Sequence, residues 1–402
     1  GWGSETGGFD AVIGNPPWDR IKLQEVEWFA ERRVEIAKAA RASDRKRMIA
    51  ALAAQNNPLW QDYVEARDTA ENAARVFREC GDYPLMSAGD INIYSLFVER
   101  AAALIHNRGV VGWLTPSGIA ADLGAAKFFR ALTSEGQGGA RLISLYDFEN
   151  KKVFFPDIDS RLKFCTLVFG GEARRATRTR CAFYLHAVSE INDANKALEL
   201  VAADFAAVNP NTGAAPIFRS KRDAEITTAI YRRQPVLVDR RSEPPKKLWP
   251  ARYVRMFDMT NDAGLFLRRD ELEAQGWYAV GLNRWKKGEA EAVPLYVGRM
   301  IHQYDHRSAN VTVNVESLHN PAFSDELTPE EKADANRYPV PQYWVAESDV
   351  PEQERRTWTL AFRDIARATD VRTMIATVIP TVAAGNTLPL MLGDENSVDA
   401  YT

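Results

Sequence analysis

Cysteine, histidine and long apolar runs are the features that this sequence has least of. Its 402 residues include three cysteines and five histidines. Cys80, Cys165 and Cys181 are too widely spaced for a disulfide framework or a cysteine-based zinc site, which is typical of a protein in the reducing cytoplasm. No run is long and apolar enough to span a membrane, so we expect no membrane partner.

An excess of either charge is also missing. The 51 Lys and Arg residues are opposed by 54 Asp and Glu residues, and the formal net charge is −3. A surface for nucleic acid would therefore have to come from local clusters of basic residues. With 46% hydrophobic and 26% charged residues, the composition fits a globular protein of two or three domains.

The first residues have neither an initiator Met nor the basic and apolar regions of a signal peptide. Residues 1–8, Gly-Trp-Gly-Ser-Glu-Thr-Gly-Gly, predict a flexible link, and residues 398–402 end without a closing element. We therefore expect the chain to be a fragment of a longer protein.

The most informative stretch is Gly-Asn-Pro-Pro-Trp at residues 14–18. It follows Phe9-Asp10-Ala11-Val12-Ile13, an apolar run that predicts a buried parallel strand. A rigid polar turn thus begins at the carboxyl end of a strand. In open α/β sheets this edge is where ligands bind.

The chemistry of this turn is specific. Pro16 and Pro17 fix their φ angles and donate no backbone hydrogen bond, and the residue before a proline is pushed into an extended conformation. The Asn15 amide oxygen and a neighbouring fixed carbonyl can together accept both hydrogens of a planar amino group. Trp18 adds a flat face for stacking. The turn therefore predicts a cradle for an aromatic amine.

The pattern Phe-Asp-x-x-x-Gly-Asn-Pro-Pro-Trp resembles motif IV of the S-adenosylmethionine-dependent DNA adenine-N6 methyltransferases. The chain is most similar to the large fused restriction–modification methylases (type IIG) and the related phage-defence methylases. The resemblance implies that Asn15 and the Pro16 carbonyl hold the adenine amino group, beside Pro17, while Trp18 stacks on the flipped base. The same tetrapeptide with Tyr also occurs in enzymes that methylate glutamine amides or RNA bases, so the motif alone does not fix the substrate.

The resemblance extends to two further positions. It implies that Phe97, together with Asn15, contributes to the cofactor site, with Phe97 packed on the adenine ring of S-adenosylmethionine. Phe155, in the loop Lys-Lys-Val-Phe-Phe-Pro, is expected to contact the flipped base from the far side, with Phe154 as the alternative. In the gamma-type motif order of this family, a Gly-rich cofactor loop precedes the catalytic motif. This sequence contains no such loop, so we expect the first half of the sheet to be absent from the chain.

The expected fold class is α/β: the C-terminal half of a Rossmann-like class I methyltransferase sheet with a helical insertion, followed by an α+β target-recognition domain. We place the catalytic domain at residues 1–200, with helices inserted at about 19–88, and the recognition region at residues 201–402, truncated at its end. The remaining strands of the catalytic domain are predicted at 109–118, 142–148, 164–169 and 181–185, with helices at about 90–106 and 125–132.

Basic residues supply the predicted contacts with duplex DNA. Lys151 and Lys152 flank the Phe154-Phe155 loop and are placed to meet backbone phosphate, although a solvated face is the alternative. The second half mixes basic and aromatic residues, and its predicted DNA-binding residues are Arg299, Arg307, Arg363 and Arg367. For Arg363 and Arg367, pairing with acidic groups in the core is the competing interpretation.

A metal site is not expected. His302 and His306 lie four residues apart, which is a zinc-binding spacing on a helix. The preceding Tyr-Val-Gly-Arg sequence predicts strand and turn instead.

The sequence therefore predicts a site-specific DNA methyltransferase of a restriction–modification or phage-defence system, which uses S-adenosylmethionine, binds double-stranded DNA and has partner subunits. Three alternatives stay open. One is a bifunctional restriction enzyme whose nuclease lies outside this chain, and another is a methyltransferase for RNA or a protein amide. The third is a non-catalytic DNA-binding subunit.

Overall fold

The computed structural model describes residues 7–39, 42–249, 251–313, 322–354, 356–367 and 370–393. The chain divides into two compact units: residues 1–23 with 61–249, and residues 24–60 with 250–402. The division falls at Trp249, so the predicted boundary near residue 200 lies inside the first unit. No helix among the described residues is long and apolar enough to cross a membrane.

The first 249 residues contain both helices and strands, as a mixed α/β fold requires. In chain order they are β1 (Phe9–Gly14), α1 (Glu25–Ala30), α2 (Val34–Ala37), α3 (Ala42–Ala54), α4 (Pro58–Glu79), α5 (Ile93–Leu104), β2 (Ile105–Pro116), α6 (Gly118–Ala121), α7 (Ala126–Thr133), β3 (Leu142–Glu149), β4 (Lys163–Gly170), β5 (Thr179–Leu185), β6 (Leu198–Leu200), α8 (Ala202–Val208), α9 (Lys221–Arg233), β7 (Val238–Asp239) and β8 (Lys246–Lys247).

The first unit is built on a six-stranded mixed sheet in the order β1-β2-β4-β3-β5-β6. Strand β1 is parallel to β2 and β3 is parallel to β5, while β4 runs antiparallel between β2 and β3. The carboxyl ends of β1, β2, β3 and β5 therefore lie at the same edge of the sheet. This edge receives the Asn-Pro-Pro-Trp turn.

One core of the first unit packs the sheet against its helices. It includes Val111, Leu145 and Leu167 from the strands and Phe129 from α7. Phe205 of α8 belongs to the same core, although it lies beyond the predicted domain boundary. Helix α9 adds Ala224. Helices as far along the chain as residue 233 thus pack into the core of the sheet. The boundary between the two units therefore falls later than predicted.

Strand β1 corrects one expectation. It was predicted as a buried strand, but its pattern is mostly exposed, and the Ile13 side chain is 83% accessible. Among the described residues β2 is its only strand partner, so β1 lies at the end of the sheet. Its apolar sequence is that of an interior strand of a parallel sheet, while its position is that of an edge.

Helix α5 begins near the predicted position and ends earlier. It spans Ile93–Leu104, and His106, the predicted end of the helix, lies at the start of β2. Asn92 occupies the N-cap position without a side-chain hydrogen bond, and the Asp90 carboxylate lies 3.9 Å from the Lys22 ammonium.

The second unit is mainly antiparallel β-structure with short helices. Its elements after residue 249 are β9 (Ala251–Val254), α10 (Arg269–Ala274), β10 (Tyr278–Gly281), β11 (Arg284–Lys287), β12 (Ala290–Tyr296), β13 (Ala309–Val313), β14 (Ala322–Glu326), α11 (Pro329–Ala333), β15 (Trp344–Ala346), β16 (Trp358–Phe362), β17 (Ala376–Pro380), β18 (Ala383–Ala384) and β19 (Leu390–Gly393).

Two sheets and a hairpin organise this second unit. Strands β10-β11-β12-β15, with β18 alongside β12, form one sheet, and β17-β16-β19-β9 form the other. Strands β13 and β14 pair as a hairpin. The helices α1 to α3, which were predicted as an insertion in the catalytic domain, fall within this unit by their contacts. Phe29 and Ile36 are the buried side chains of α1 and α2.

Candidate active site

The Asn-Pro-Pro-Trp turn is fixed at both of its ends. At its start, a Cβ on Gly14 would lie 2.8 Å from the Trp113 ring, so only glycine fits under this indole. At its end, the Ile93 amide donates to the Asp19 carbonyl (2.9 Å) and the Ile21 amide donates to the Ile91 carbonyl (3.1 Å). The turn is therefore tied to strand β2 on one side and to the start of α5 on the other.

Within the turn, Trp18 orients Asn15. The indole Nε1 donates a hydrogen bond of 2.9 Å to Asn15 Oδ1. Because a carbonyl oxygen has two lone pairs, Oδ1 keeps one acceptor position after this bond. Pro16 is buried, while Asn15 and Pro17 are exposed. The amide oxygen of Asn15 is thus held in one direction without being saturated.

A cavity of about 290 Å³ lies beside this turn. Asn15, Pro16 and Trp18 line one part of it, and Phe155 lines another part together with the apolar side chains of Ile158 and Leu162. The structure therefore brings Phe155 to the turn. Pro17, the fourth residue of the motif, does not line the cavity.

Phe154 and Phe155 have different surroundings, and which of them contacts a base stays a prediction. The Phe154 ring packs edge-to-face on Phe148 and Phe164, with ring centroids 5.3 Å away in both pairs. It contributes to a small apolar cluster under the loop. Phe155 also contacts Phe164 but is the one of the two that lines the cavity.

The two rings predicted to sandwich a base are not parallel. The centroids of Trp18 and Phe155 are 6.3 Å apart and their planes form an angle of 79°. A flat base held between two faces needs parallel planes about 7 Å apart, since each carbon–carbon contact is about 3.5 Å. The structure therefore shows an edge-to-face pair, and a sandwich requires one of these rings to turn.

The loop that carries Phe155 is organised by Asn150, which sequence reasoning missed. Asn150 is fully buried at the end of β3. Its Oδ1 accepts from the Phe155 amide (2.9 Å), and its Nδ2 donates to the Phe155 carbonyl (2.9 Å) and the Ile158 carbonyl (3.2 Å). The signal in the sequence that could have identified Asn150 was a polar residue directly after a predicted strand of apolar residues.

An ion cluster, also missed, precedes this loop. The Glu149 carboxylate lies 2.9 Å from His186 Nε2 and 3.3 Å from the ammonium groups of Lys151 and Lys163. Burial alone would raise the pKa of Glu149, but the hydrogen bond from His186 and the two lysines outweigh it and lower the pKa to about 2. Glu149 therefore stays ionised and holds the base of the loop to β4 and β5.

The two lysines predicted to contact phosphate, Lys151 and Lys152, differ in their surroundings. Lys151 belongs to the Glu149 cluster. Lys152 is exposed at the turn of the loop. Both have left-handed backbone conformations, with φ of 41° and 61°. Contact of either lysine with DNA stays a prediction.

Phe97 is exposed near the same end of the sheet. Its side chain is 45% accessible and packs edge-to-face on Trp113, the indole that covers Gly14. Tyr94, three residues earlier on the same helix, is buried. An accessible aromatic ring at this place fits the planar adenine of S-adenosylmethionine, and this role of Phe97 stays a prediction.

Three of the four arginines predicted to contact DNA donate to carbonyl groups of the second unit. Arg299 donates to Ala322, Arg307 to Lys332 and Asp334, and Arg363 to Ile301. These bonds join loops within the second unit. Neither of the two predicted roles, DNA contact and pairing with acidic groups, included hydrogen bonds to backbone carbonyl groups. The side chain of Arg367 is exposed. Contact of all four with DNA stays a prediction.

The paired histidines lie in a turn rather than on a helix. The backbones of His302 and Asp305 form an isolated antiparallel β-bridge, and the centroid of the His306 ring lies 6.0 Å from that of Tyr338. Burial lowers the pKa of His306. In the part of the chain that the structure describes, no three His, Cys, Asp or Glu side chains are grouped as metal ligands would be.

Comparison with known proteins assigns no family to this chain. No protein-family model matches the sequence, and no curated protein matches it. One similar solved structure is described as the modification subunit of a type I restriction enzyme from Vibrio vulnificus YJ016. It is 11% identical, with a TM-score of 0.29 over 50% of this chain and 35% of that chain.

Two further structures are restriction–modification enzymes in complex with DNA. The type ISP enzyme LlaBIII is 9% identical, with a TM-score of 0.37 over 98% of this chain and 25% of its own. The type IIL enzyme MmeI is 10% identical, with a TM-score of 0.37 over 80% of this chain and 38% of its own. The chain therefore spans less than two fifths of each of the three proteins. TM-scores this low do not establish a shared fold.

Proposed function

We propose that this chain is part of a DNA methyltransferase, which transfers a methyl group from S-adenosylmethionine to the exocyclic amino group of an adenine. One observation carries the proposal. The amide acceptor of Asn15, the buried Pro16 and the rings of Trp18 and Phe155 line a single cavity. These are the groups that a planar aromatic amine needs: acceptors for its hydrogens and apolar faces for its ring.

The position of the cavity supports the proposal. It lies where the parallel strands β1, β2 and β3 end, which is the usual ligand edge of an open α/β sheet. The parallel strands also agree with the expected half of a Rossmann-like sheet. Phe97 would hold the adenine ring of the cofactor beside Trp113. Bound S-adenosylmethionine would supply an electrophilic methyl group.

The residues of the turn would act on the amino nitrogen. An adenine inside a duplex must first leave the base stack, because its amino group is not accessible there. Asn15 Oδ1 and the Pro16 carbonyl would then accept the two amino hydrogens. This draws the nitrogen lone pair out of conjugation with the ring and directs it at the methyl group. The amino nitrogen would take the methyl group as the sulfur–methyl bond of bound S-adenosylmethionine breaks, which leaves S-adenosylhomocysteine. One amino proton would leave to water, so no strong base is required.

Stacking would hold the extruded base during this step. Base stacking on an aromatic side chain contributes about 1–3 kcal/mol per base. Trp18 is fixed through its hydrogen bond to Asn15, so Phe155 is the ring that would turn to face the base. In the wider system, the second unit would select the DNA sequence, within restriction–modification or phage defence and together with partner subunits.

The substrate class can be tested directly. The full-length protein that contains this chain would be incubated with labelled S-adenosylmethionine and, in separate reactions, unmethylated duplex DNA, RNA and bulk protein. We expect label in DNA, recovered as N6-methyl-2′-deoxyadenosine after digestion. Label in RNA or protein alone would overturn the assignment to DNA. Absence of label from all three would favour a non-catalytic DNA-binding subunit.

A further inference from the structure

We propose that Asn150 is the positioning residue that fixes Phe155 at the wall of the base cavity. The inference deepens the proposed function and rests on it for its catalytic consequence. Asn150 lies at the start of the loop between β3 and β4, and its side chain is fully buried. It contacts the backbone of the loop and not the cavity, because Asn150 is absent from the cavity lining.

The Asn150 carboxamide adds side-chain hydrogen bonds to the backbone hydrogen bonds of this loop. Its Oδ1 accepts from the Phe155 amide at 2.9 Å, and its Nδ2 donates to the Phe155 carbonyl at 2.9 Å. The same nitrogen reaches the Ile158 carbonyl at 3.2 Å and the Asp159 carbonyl at 3.3 Å. Both backbone polar groups of Phe155 are thus held by one buried side chain.

The remaining loop geometry makes this bonding necessary. The loop closes at its base, where the Asn150 amide donates to the Leu162 carbonyl (3.0 Å) and the Lys151 amide donates to the Ser160 carbonyl (3.1 Å). Lys151 and Lys152 then turn the chain in the left-handed conformation, which is unfavourable for residues other than glycine. Such strain persists only when the surrounding structure over-determines it. The Asn150 hydrogen bonds supply that constraint.

Asparagine is the residue type that this position requires. Its amide offers one acceptor and two donors, which match the Phe155 amide and the surrounding carbonyls. An ionised aspartate would keep the acceptor but would face the carbonyl oxygens of Phe155, Ile158 and Asp159 without a donor. Leucine has a similar size and offers neither. Of the two bonds to Phe155, aspartate therefore removes only the bond to the carbonyl, which keeps the Ile158 amide (3.2 Å) as a donor, while leucine removes the bonds to both polar groups of Phe155 and leaves the ring present.

Asn150 acts on the base only through Phe155. The Phe155 ring lies at 79° to Trp18, so stacking on a base requires it to rotate. With the backbone of Phe155 fixed at both polar groups, the rotation takes place about the side-chain bonds alone. This confines the ring to the cavity wall in both orientations.

A double-mutant cycle in the full-length protein tests this coupling. Asn150→Asp, Phe155→Ala and the double variant would be compared for kcat and KM in methyl transfer to unmethylated duplex DNA. We expect each single change to lower kcat by about tenfold, with the KM for S-adenosylmethionine unchanged, and the double variant to be no slower than Phe155→Ala. Asn195→Ala, an exposed loop asparagine, is the matched control. Multiplicative losses in the double variant, or wild-type kinetics of Asn150→Asp, would overturn the proposal.

Amide hydrogen exchange tests the same inference without any need for methyl transfer. In the wild type, the Phe155 amide is expected to exchange slowly because it donates to a buried acceptor. In Asn150→Leu, which offers no acceptor, exchange of loop 150–162 should accelerate while strand β4 keeps its protection, which separates a local release from general destabilisation. Unchanged exchange at Phe155, or equal acceleration in β4, would contradict the positioning role. A wild-type protein without methyl transfer would instead contradict the proposed function.

Discussion

At the scale of single residues, Trp18 has two separable roles. Its ring lines the cavity, and its Nε1 orients Asn15. Trp18→Phe keeps an aromatic ring and removes the hydrogen bond, which is worth about 0.5–1.5 kcal/mol. We expect kcat to fall about threefold to tenfold, with little change in the KM for DNA. Trp18→Ala should also raise that KM, because stacking is lost. Steady-state methyl transfer to DNA by the three proteins measures both effects, and equal kinetics of the Phe and Ala variants would contradict the separation of roles.

Part of the candidate site could be predicted from the sequence. Asn15, Pro16 and Trp18 are adjacent, so their chemistry is readable from the motif. The structure places Phe155 in the lining of the same cavity, and its contact with a base stays a prediction. The mutual orientation of the two rings was not predictable, because it depends on the contacts of both rings with Phe164. Asn150 and Glu149 were missed since their partners become neighbours only when the loop folds back.

Glu149 gives a prediction for pH. Its pKa is lowered from 4.5 to about 2, so its ionised form stabilises the folded state above pH 4.5 and this contribution is lost as the pH falls through 2. Glu149→Gln should lower the free energy of unfolding by about 1–3 kcal/mol at pH 7. The difference between the two proteins should shrink between pH 4.5 and 2. Urea unfolding at several pH values measures it, and a difference independent of pH would refute the assignment.

At the scale of elements, the pairing of β1 with β2 determines where the Asn-Pro-Pro-Trp turn begins. Gly14 pairs with Trp113 and Ile13 pairs with Gly112. Gly14→Ala places a methyl group against the Trp113 ring and should destabilise the first unit by about 1–3 kcal/mol. Gly112→Ala is the matched control, because its Cβ would lie 3.9 Å from Ile13 in ordinary contact. Chemical denaturation compares them, and equal stability of both variants would contradict this register.

Strand positions within the sheet were harder to predict than the strands themselves. The strands β1 to β5 lie at their predicted positions. An apolar run such as residues 9–13 indicates a strand, but it cannot distinguish an interior from an edge position, since pairing partners are not encoded locally. The pattern of apolar residues therefore could not predict that the Ile13 side chain is exposed. The strand order β2-β4-β3 could not be predicted from the sequence either, because the order of strands in a sheet depends on long-range contacts.

At the scale of the whole molecule, the two units are interleaved in sequence. Residues 24–60 are rich in helix formers and were assigned to the first domain by their position in the chain. Their contacts place them in the second unit. Composition could not reveal this, because a helical insertion carries no sequence signal for the surface on which it packs. The later boundary has a similar cause, since α8 and α9 complete the core of the first sheet.

Truncation distinguishes the two boundaries. A protein ending at residue 200 loses Phe205 and Phe218 from the core of the first unit, and each large aromatic side chain removed from a core costs about 3–5 kcal/mol. We expect it to fail to fold, as judged by circular dichroism and proteolysis. A protein ending at residue 249 should keep residues 61–249 resistant to protease and become sensitive within 24–60. A stable protein ending at residue 200 would contradict the division.

The measurement that tests the central claim most directly is methyl transfer by Asn15→Ala in the full-length protein. The account predicts that the rate of methyl transfer to adenine falls by about a hundredfold or more, because a preorganised polar contact to the reacting group is lost. Binding of DNA and the thermal unfolding midpoint should stay at wild-type values, and Asn195→Ala should methylate normally. Wild-type methylation by Asn15→Ala would remove Asn15 from the mechanism and contradict the account.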